Sequence, residues 1–345
     1  MRARRTRATM AAMESVPRFI APVREARTTP PGLAGDWAPG DNRLDAVERF
    51  PLPSGTGPED VCVDLDGNLV AGGDDGAIWR WHAGATPADP PVRLADTGGR
   101  PLGIEVDPAD GTLVVCDAYK GLLRIRDGDI ETLATHAAGT PIRVCNNASI
   151  AADGTIYFTD SSSRFPLSAW RRDILEHRPN GRLLQYREGA VEVLLDGLYF
   201  PNGVALTPDG TALLFVEDST HQLSRFDLAT RERTVLTDLA AYPDNVAGVG
   251  DGTFWIAMPS PRLAIVERLL PHPRLRKLAD LLPEALQPQP ERYGLVALVD
   301  AQGQVRRTLH GPSGSFTMIT GVRQEGQSLW LGSLTENAVG RVTLA

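Results

Sequence analysis

Cysteine is scarce in this sequence, with three in 345 residues. Cys62, Cys116 and Cys145 stand far apart inside apolar stretches, so they offer neither a disulfide framework nor a thiolate metal site and read as buried thiols. No run approaches the roughly 18 consecutive apolar residues that a membrane span needs, and no membrane partner is expected. Positive charge is not in excess either: the formal net charge is -8, which excludes a general nucleic-acid binder because phosphate contacts need a basic face. The opening MRARRTRATMAAMESVPRFIAPV is basic but has no uninterrupted apolar segment, which argues against a secretory signal and for a cytoplasmic protein. A Gly-x-Ser-x-Gly elbow, a glycine-rich phosphate loop and a dinucleotide fingerprint are all missing. What remains, with 42% hydrophobic and 23% charged residues, is a soluble globular chain whose expected partner is a small molecule. The sequence leaves its oligomeric state open.

What is present in quantity is repetition. The stretch LYFPNGVALTPDG from Leu198 has a polar residue heading an apolar strand, then a tight turn and a second strand, TALLFVED. Related segments are GPEDVCVDLDGNLVAGG from Gly57, RPLGIEVDPADGTLVVCD from Arg100, CNNASIAADGTIYFTD from Cys145, YPDNVAGVGDGTFWIAM from Tyr242 and TGVRQEGQSLWLGS from Thr320. Gly67, Gly111 and Gly154 mark the first hairpin turns about 43 residues apart, the length of a four-stranded blade, and Gly210 and Gly252 continue the series. Six such units predict an all-β, six-bladed β-propeller.

Residues 1–44, rich in Arg, Pro and Gly, read as an irregular arm, and 45–345 as one propeller. AVERFPL from Ala46 is an orphan strand, and the last repeat is one strand short before AVGRVTL. The first strand is therefore expected to complete the last blade, which removes exposed sheet edges. Short helical insertions are expected in blades 3 and 5, from Phe165 and over about 261–286. In the second, Leu263, Val266, Leu269 and Leu270, then Leu275, Leu278, Leu281 and Leu282, recur at helical spacing on either side of Pro271 and Pro273. Two short amphipathic helices follow, either covering a blade edge or forming a lid.

In a propeller the first strand of each blade lines the channel, so its heading residues meet. Glu59, Asn147, Asn202 and Asp244 head four of the repeats. Singly, Asn202-Gly203 could be only a turn and Asp244-Asn245 a loop cap. At one repeat position in four blades, two carboxylates and two carboxamides select a hard cation, Ca²⁺, over Zn²⁺ or Cu²⁺. Of the six histidines, His136 and His221 are the candidate proton shuttles, both expected at the surface.

The stretches RPLGIEVDPADGTLVVCDAYKGLL, IYFTDSSSRF, HRPNGRLLQY, LLDGLYFPNGVALTPDG, YPDNV, RLRKLADLLPEAL and YGLVALVD resemble the strictosidine synthase-like family, within the wider group that holds gluconolactonase, regucalcin and the paraoxonases. The resemblance runs from about Gly57 to the C-terminus and implies a six-bladed propeller. It also implies one catalytic calcium on Glu59, Asn147, Asn202 and Asp244, with Asn245 added by the paraoxonase pattern. Thr320 stands where the plant condensing enzyme has its glutamate, and Leu102 where paraoxonases have a histidine. The expected activity is calcium-dependent hydrolysis of lactones or aryl esters, with Asp244 or a metal-bound water as base or nucleophile. Leu102, Asn146 and Thr320 would line the pocket, Asn146 orienting a substrate oxygen. A cyclase, a phosphotriesterase and a binding propeller with structural calcium are the alternatives.

Overall fold

The structure, a computed structural model, describes residues 16–25 and 31–344. The rest of the predicted arm, 1–15 and 26–30, lies outside the described residues. Apolar strands alternate with Asp-containing turns, and the turn glycines Gly67, Gly111, Gly154, Gly210 and Gly252 have φ of 70 to 90°, a left-handed conformation that costs glycine nothing. An aspartate in the same turns accepts backbone N–H groups: Asp153 Oδ1 accepts from Thr155 and Asp251 Oδ1 from Thr253. The result is six antiparallel four-stranded sheets.

The innermost strands are Val61–Val63, Pro101–Val106, Cys145–Ile150, Pro201–Leu206, Val246–Gly248 and Ile319–Glu325. The sixth sheet contains only three strands from the C-terminal part of the chain. Its outer strand is Glu48–Pro51, which pairs antiparallel with Ala338–Thr343 in the register Phe50 to Val339. Six hydrophobic clusters hold the ring together, one between each pair of neighbouring blades. Cys62 packs between blades 1 and 2, and Cys116 and Cys145 between blades 2 and 3; all three are free, buried thiols.

The described part of the arm is less loose than its composition suggests. Trp37 joins the cluster between blades 4 and 5, and Leu44 the one between blades 5 and 6. Both insertions leave from the second strand of their blade and return at the third. Blade 3 carries helix α1 (Trp170–Glu176), and blade 5 carries α2 (Ala264–Leu269) and α3 (Pro273–Asp280). Ile20 from the arm, Phe165, Ala169 and Leu175 from blade 3, and Ala279 from α3 form a separate small core above the ring. Among the described residues, no helix is long and apolar enough to cross a membrane.

The leucine pattern of the fifth-blade insertion is only half realised. Leu263 and Val266 face inward toward a cavity, but on α3 the buried positions are Arg276 and Ala279, while Leu275, Leu278, Leu281 and Leu282 are exposed. The reason is polar. Arg276 Nη1 donates to the carbonyls of Leu175 and Glu176 at 3.2 and 3.1 Å, and Nη2 donates to Val23 O. Three carbonyls from two distant parts of the chain thus fix the guanidinium inside, and the leucines turn out.

Candidate active site

The inner strands do not begin as regular ladder. In blade 2 the register jumps between Pro101 and Ile104, in blade 3 between Cys145 and Ala148, in blade 4 between Pro201 and Val204, and in blade 6 between Ile319 and Val322. Each jump is a β-bulge in which two residues face one partner, a device that re-aims side chains. The first bulge residue in these blades is Leu102, Asn146, Asn202 or Thr320. Blades 1 and 5 begin one step later in the ladder, and Glu59 and Asp244 hold the same place ahead of Val61 and Val246. All six first residues line a single cavity on the ring axis.

The second residue of each head points into the neighbouring blade. It is Gly103, Gly203 or Gly321 in the even blades, where a Cβ would lie 2.7 Å from Asn146 O, 2.2 Å from Val246 N and 2.7 Å from Asp60 Cα respectively. Asn202-Gly203 is therefore strand, with glycine demanded by close approach and not by a turn. In the odd blades the second residue is Asp60, Asn147 or Asn245, and its side chain bonds across the ring. Ile104 N donates to Asp60 Oδ2 at 3.2 Å, Val204 N to Asn147 Oδ1 at 3.0 Å, and Asn245 Nδ2 to both oxygens of Glu59 at 3.3 Å.

This arrangement corrects one predicted ligand. Asn147 has its carbonyl oxygen occupied by Val204 N–H, and its Nδ2 donates to Asp60 Oδ2 at 3.3 Å. Its amide is a strut between blades 1, 3 and 4. Asn146 takes the channel-facing place, equivalent to Asn202. Asn245 does not line the cavity; it stands behind Glu59 with its Oδ1 buried and without a partner. Glu59, Asn202 and Asp244 lie on the cavity floor, and Leu102, Asn146 and Thr320 also line the cavity. Thr320 Oγ1 donates to Glu59 O at 2.7 Å, so its hydroxyl is committed to the backbone.

The oxygens at the floor are short of donors. Asn146 Oδ1, Asn202 Oδ1 and Asp244 Oδ1 are buried and accept no hydrogen bond, a state that costs each group its desolvation penalty. Burial pushes Glu59 up to about 8, the neighbouring Asp60 carboxyl adds to this, and the Arg100 guanidinium opposes it. Asp244 is also raised well above the ordinary carboxylate range, first by burial and then by the Glu59 and Asp218 carboxyls. Two buried carboxyls that resist ionising together, ringed by unpartnered amide oxygens, are what a hard divalent cation satisfies. Among the described residues no group of three or more His, Cys, Asp or Glu side chains is placed to hold a metal. This set contains two carboxylates and draws its other oxygens from amides, so it fits calcium and not a softer ion.

Above the floor the cavity encloses about 1060 Å³, its open mouth included. Phe200, Met318 and Leu334 join Leu102 in its walls, and the roof comes from the insertions: Leu167, Trp170 and Ile174 from blade 3, Leu263 and Val266 from blade 5. Two acidic residues escaped sequence reasoning. Asp60 is buried behind Glu59, where burial raises it to about 7 against the pull of Arg323. Asp218, one residue past the strand Ala212–Glu217, lines the cavity and is raised to about 8 by burial and by Asp173. Its only signal was its place at the end of a second strand, outside the repeat heads.

Neither candidate shuttle reaches the cavity. His136 is exposed, with Nδ1 3.0 Å from the Thr135 hydroxyl. His221 is buried, contrary to its expected surface place; its ring packs at a tilt of 56° against Tyr242 with centroids 4.6 Å apart, and Nε2 lies 3.8 Å from Glu267.

Comparison with known proteins agrees with this architecture. The family model described as strictosidine synthase matches residues 146–226, and the one described as strictosidine synthase-like, N-terminal, matches residues 35–81. Strictosidine synthase-like protein 6 of Arabidopsis thaliana is 36% identical over 295 residues, covering 83% of this chain and 79% of that protein. The adipocyte plasma membrane-associated protein of Rattus norvegicus is 31% identical over 342 residues, covering 91% and 90%. Among solved structures, a gluconolactonase of Xanthomonas campestris superimposes with a TM-score of 0.60 at 18% identity, over 95% of this chain and 99% of that one. At that identity it shows the six-bladed fold.

Proposed function

The chain belongs to the strictosidine synthase-like family, and from that premise we propose that it is a calcium-dependent hydrolase of lactones or related esters. The observation that carries the proposal is the convergence on one cavity floor of the unpartnered oxygens of Asn146, Asn202 and Asp244 beside the Glu59 carboxylate. These four side chains would hold the cation. When bound, calcium supplies a Lewis acid that polarises a substrate carbonyl and stabilises the charge developing on its oxygen.

The chain's own residues supply the rest. Asn245 orients Glu59, its Nδ2 donating to both carboxylate oxygens. Asp244 would be the base: with a cation in the site its buried carboxyl is held ionised, and its Oδ1, which accepts no hydrogen bond, can take a proton from the water whose oxygen bonds to the ester carbon and pass it to the oxygen released as the ester C–O bond breaks. Leu102, Phe200, Met318 and Leu334 keep bulk water from that floor and favour a substrate with an apolar body. A fold does not select a substrate, so the weight rests on the oxygen cluster.

The test pairs metal analysis of the purified protein with turnover of a panel of small lactones and aryl esters before and after chelation. The proposal expects about one calcium per chain and hydrolysis that stops with chelator and returns with calcium. Asp244→Asn should abolish turnover while the protein still melts cooperatively. No metal bound when calcium is supplied would overturn the site, and bound calcium with no hydrolysis across the panel would overturn the reaction.

A further inference from the structure

The outward leucines of α3 are part of a larger surface. Most large apolar side chains that the described residues leave exposed lie on the arm and on the fifth-blade insertion; the blades contribute only Leu65, Val92, Ile130 and Val235. On α3 and the turn after it, Leu275, Leu278 and Leu281 are 48%, 59% and 67% exposed, and Leu282 stands beside them. Phe19 and Val23 of the arm are also exposed. The arm and α3 are joined directly, since Arg276 donates to Val23 O and Glu25 N donates to Leu270 O at 3.2 Å.

Charge on the same segments is one-sided. Arg18, Arg24, Arg268, Arg274 and Lys277 are exposed, and no ion pair engages them among the described residues. Of the acidic groups there, Asp280 pairs with Arg172 at 2.7 Å, Glu176 with Arg164 at 2.7 Å and Glu267 with Arg262 at 2.9 Å, Glu25 is half-buried near Arg276, and Glu291, at the far end of the insertion, is exposed. A protein with a formal net charge of -8 thus carries a basic, leucine-rich cap. On α3 the two properties interleave: Arg274 and Lys277 flank Leu275 and Leu278 along one exposed face.

Another copy of this acidic chain could meet the charges but has, among the described residues, no comparable apolar patch elsewhere to meet the leucines. A bilayer surface containing anionic phospholipid meets both, since apolar side chains enter the headgroup boundary while basic ones pair with phosphate and carboxylate. We propose that the cap formed by the arm and α3 docks this protein on an anionic membrane surface. The helices that roof the cavity belong to the same cap, so docking sets the cavity mouth close to the lipid. No spanning segment is needed, and the proposal stands whether or not the site below hydrolyses esters.

The experiment is co-sedimentation of the full chain with phosphatidylcholine vesicles, with and without phosphatidylserine, at low and high salt. Wild type should bind only the anionic vesicles and be released by salt. Leu275→Ser/Leu278→Ser/Leu282→Ser should weaken binding roughly tenfold or more, and Arg274→Glu/Lys277→Glu by a similar factor. These positions are exposed, so an unchanged melting temperature verifies that each variant folds. Failure of wild type to bind either vesicle overturns the proposal. Wild-type affinity in the leucine variant also overturns it, placing the contact elsewhere, for example in the basic residues before position 16. A wild-type dimer in light scattering that the leucine variant dissolves, without vesicle binding, overturns it in favour of a self-interface.

Discussion

Asn147 and Asp60 hold each other across the ring, with Asn147 Nδ2 3.3 Å from Asp60 Oδ2, and the same amide receives Val204 N–H on its other end. Three blades are tied by one buried side chain. Its neighbour Asn146 has an oxygen with no partner at all. The two asparagines should therefore separate cleanly by mutation. Asn147→Ala leaves Val204 N–H unsatisfied and takes one of three donors from Asp60, which keeps Ile104 N–H and Val61 N–H, and should cost about 1–3 kcal/mol in a urea melt. Asn146→Ala removes no internal bond from its oxygen and should leave the melt nearly unchanged, while weakening calcium binding measured by titration calorimetry.

Burial raises Asp244, and the Glu59 carboxyl repels a charge on it and raises it further, while Glu59 itself is raised by burial and by Asp60. Neutralising one relieves that repulsion. Asp244→Asn should melt at a higher temperature than wild type in chelator. Calcium at a hundred times its dissociation constant should stabilise wild type by about 2.7 kcal/mol, and the variant far less. Differential scanning calorimetry with and without calcium reads both effects, and a variant less stable than wild type in chelator would contradict the proposed repulsion.

The ring was readable because each blade repeats one local rule, a polar head, an apolar strand and an Asp-Gly turn, and local rules survive in sequence. Which head residue faces the axis was harder. Asn146 and Asn147 are adjacent and chemically identical, and only the bulge decides which is displaced. Counting back from the first paired strand residue would have found it: Asn202 stands two before Val204, and Asn146 two before Ala148. The α3 leucines failed for another reason. Periodicity identifies a face but not its direction, and carbonyls contributed by Val23, Leu175 and Glu176, distant in sequence, captured Arg276. Asp218 left only its place just past a second strand, because what it faces depends on the cavity around it.

The motif IYFTDSS, which carried much of the family resemblance, is structural. Asp160 accepts Val144 N–H at 3.0 Å and pairs with Arg182 at 2.6 Å, both side chains being buried; Arg182 also donates to Ala137 O and Pro141 O. Arg182→Met leaves the carboxylate without its counter-charge and should cost about 3–5 kcal/mol. The charge-free pair Asp160→Asn/Arg182→Met should recover part of that loss in the same chemical melt.

Asp173, buried on α1, accepts from Ser162 Oγ at 2.5 Å and Asn180 Nδ2 at 3.2 Å, and burial raises it to about 7. Its folded pKa lies above its unfolded one. Its contribution to stability is thus fully present below about pH 4 and is lost as pH rises through 7. Asn at this position keeps an acceptor for both donors and cannot ionise. Asp173→Asn should match wild type near pH 4 and exceed it progressively up to pH 7, by on the order of a few kcal/mol, with a constant gain above. Urea melts across that range give the difference directly, and a gain that shrinks with rising pH would refute the assignment.

Arg276 decides how the cavity is roofed. Its guanidinium joins α3 to the arm through Val23 and to α1 through Leu175 and Glu176, and α1 and α2 supply the roof over the floor oxygens. None of these bonds reaches the six interblade clusters, so the ring does not depend on them. Arg276→Ala should leave the cooperative melt within about 1 kcal/mol of wild type yet open the cap locally. Limited proteolysis should then cut within 262–290 faster than in wild type, while the blades stay intact. For an apolar ester, KM should rise more than kcat falls, since the roof binds the body of the substrate and the floor is untouched. Loss of kcat alone would instead mean that the cap orders the floor, and that the arm reaches the chemistry through α1.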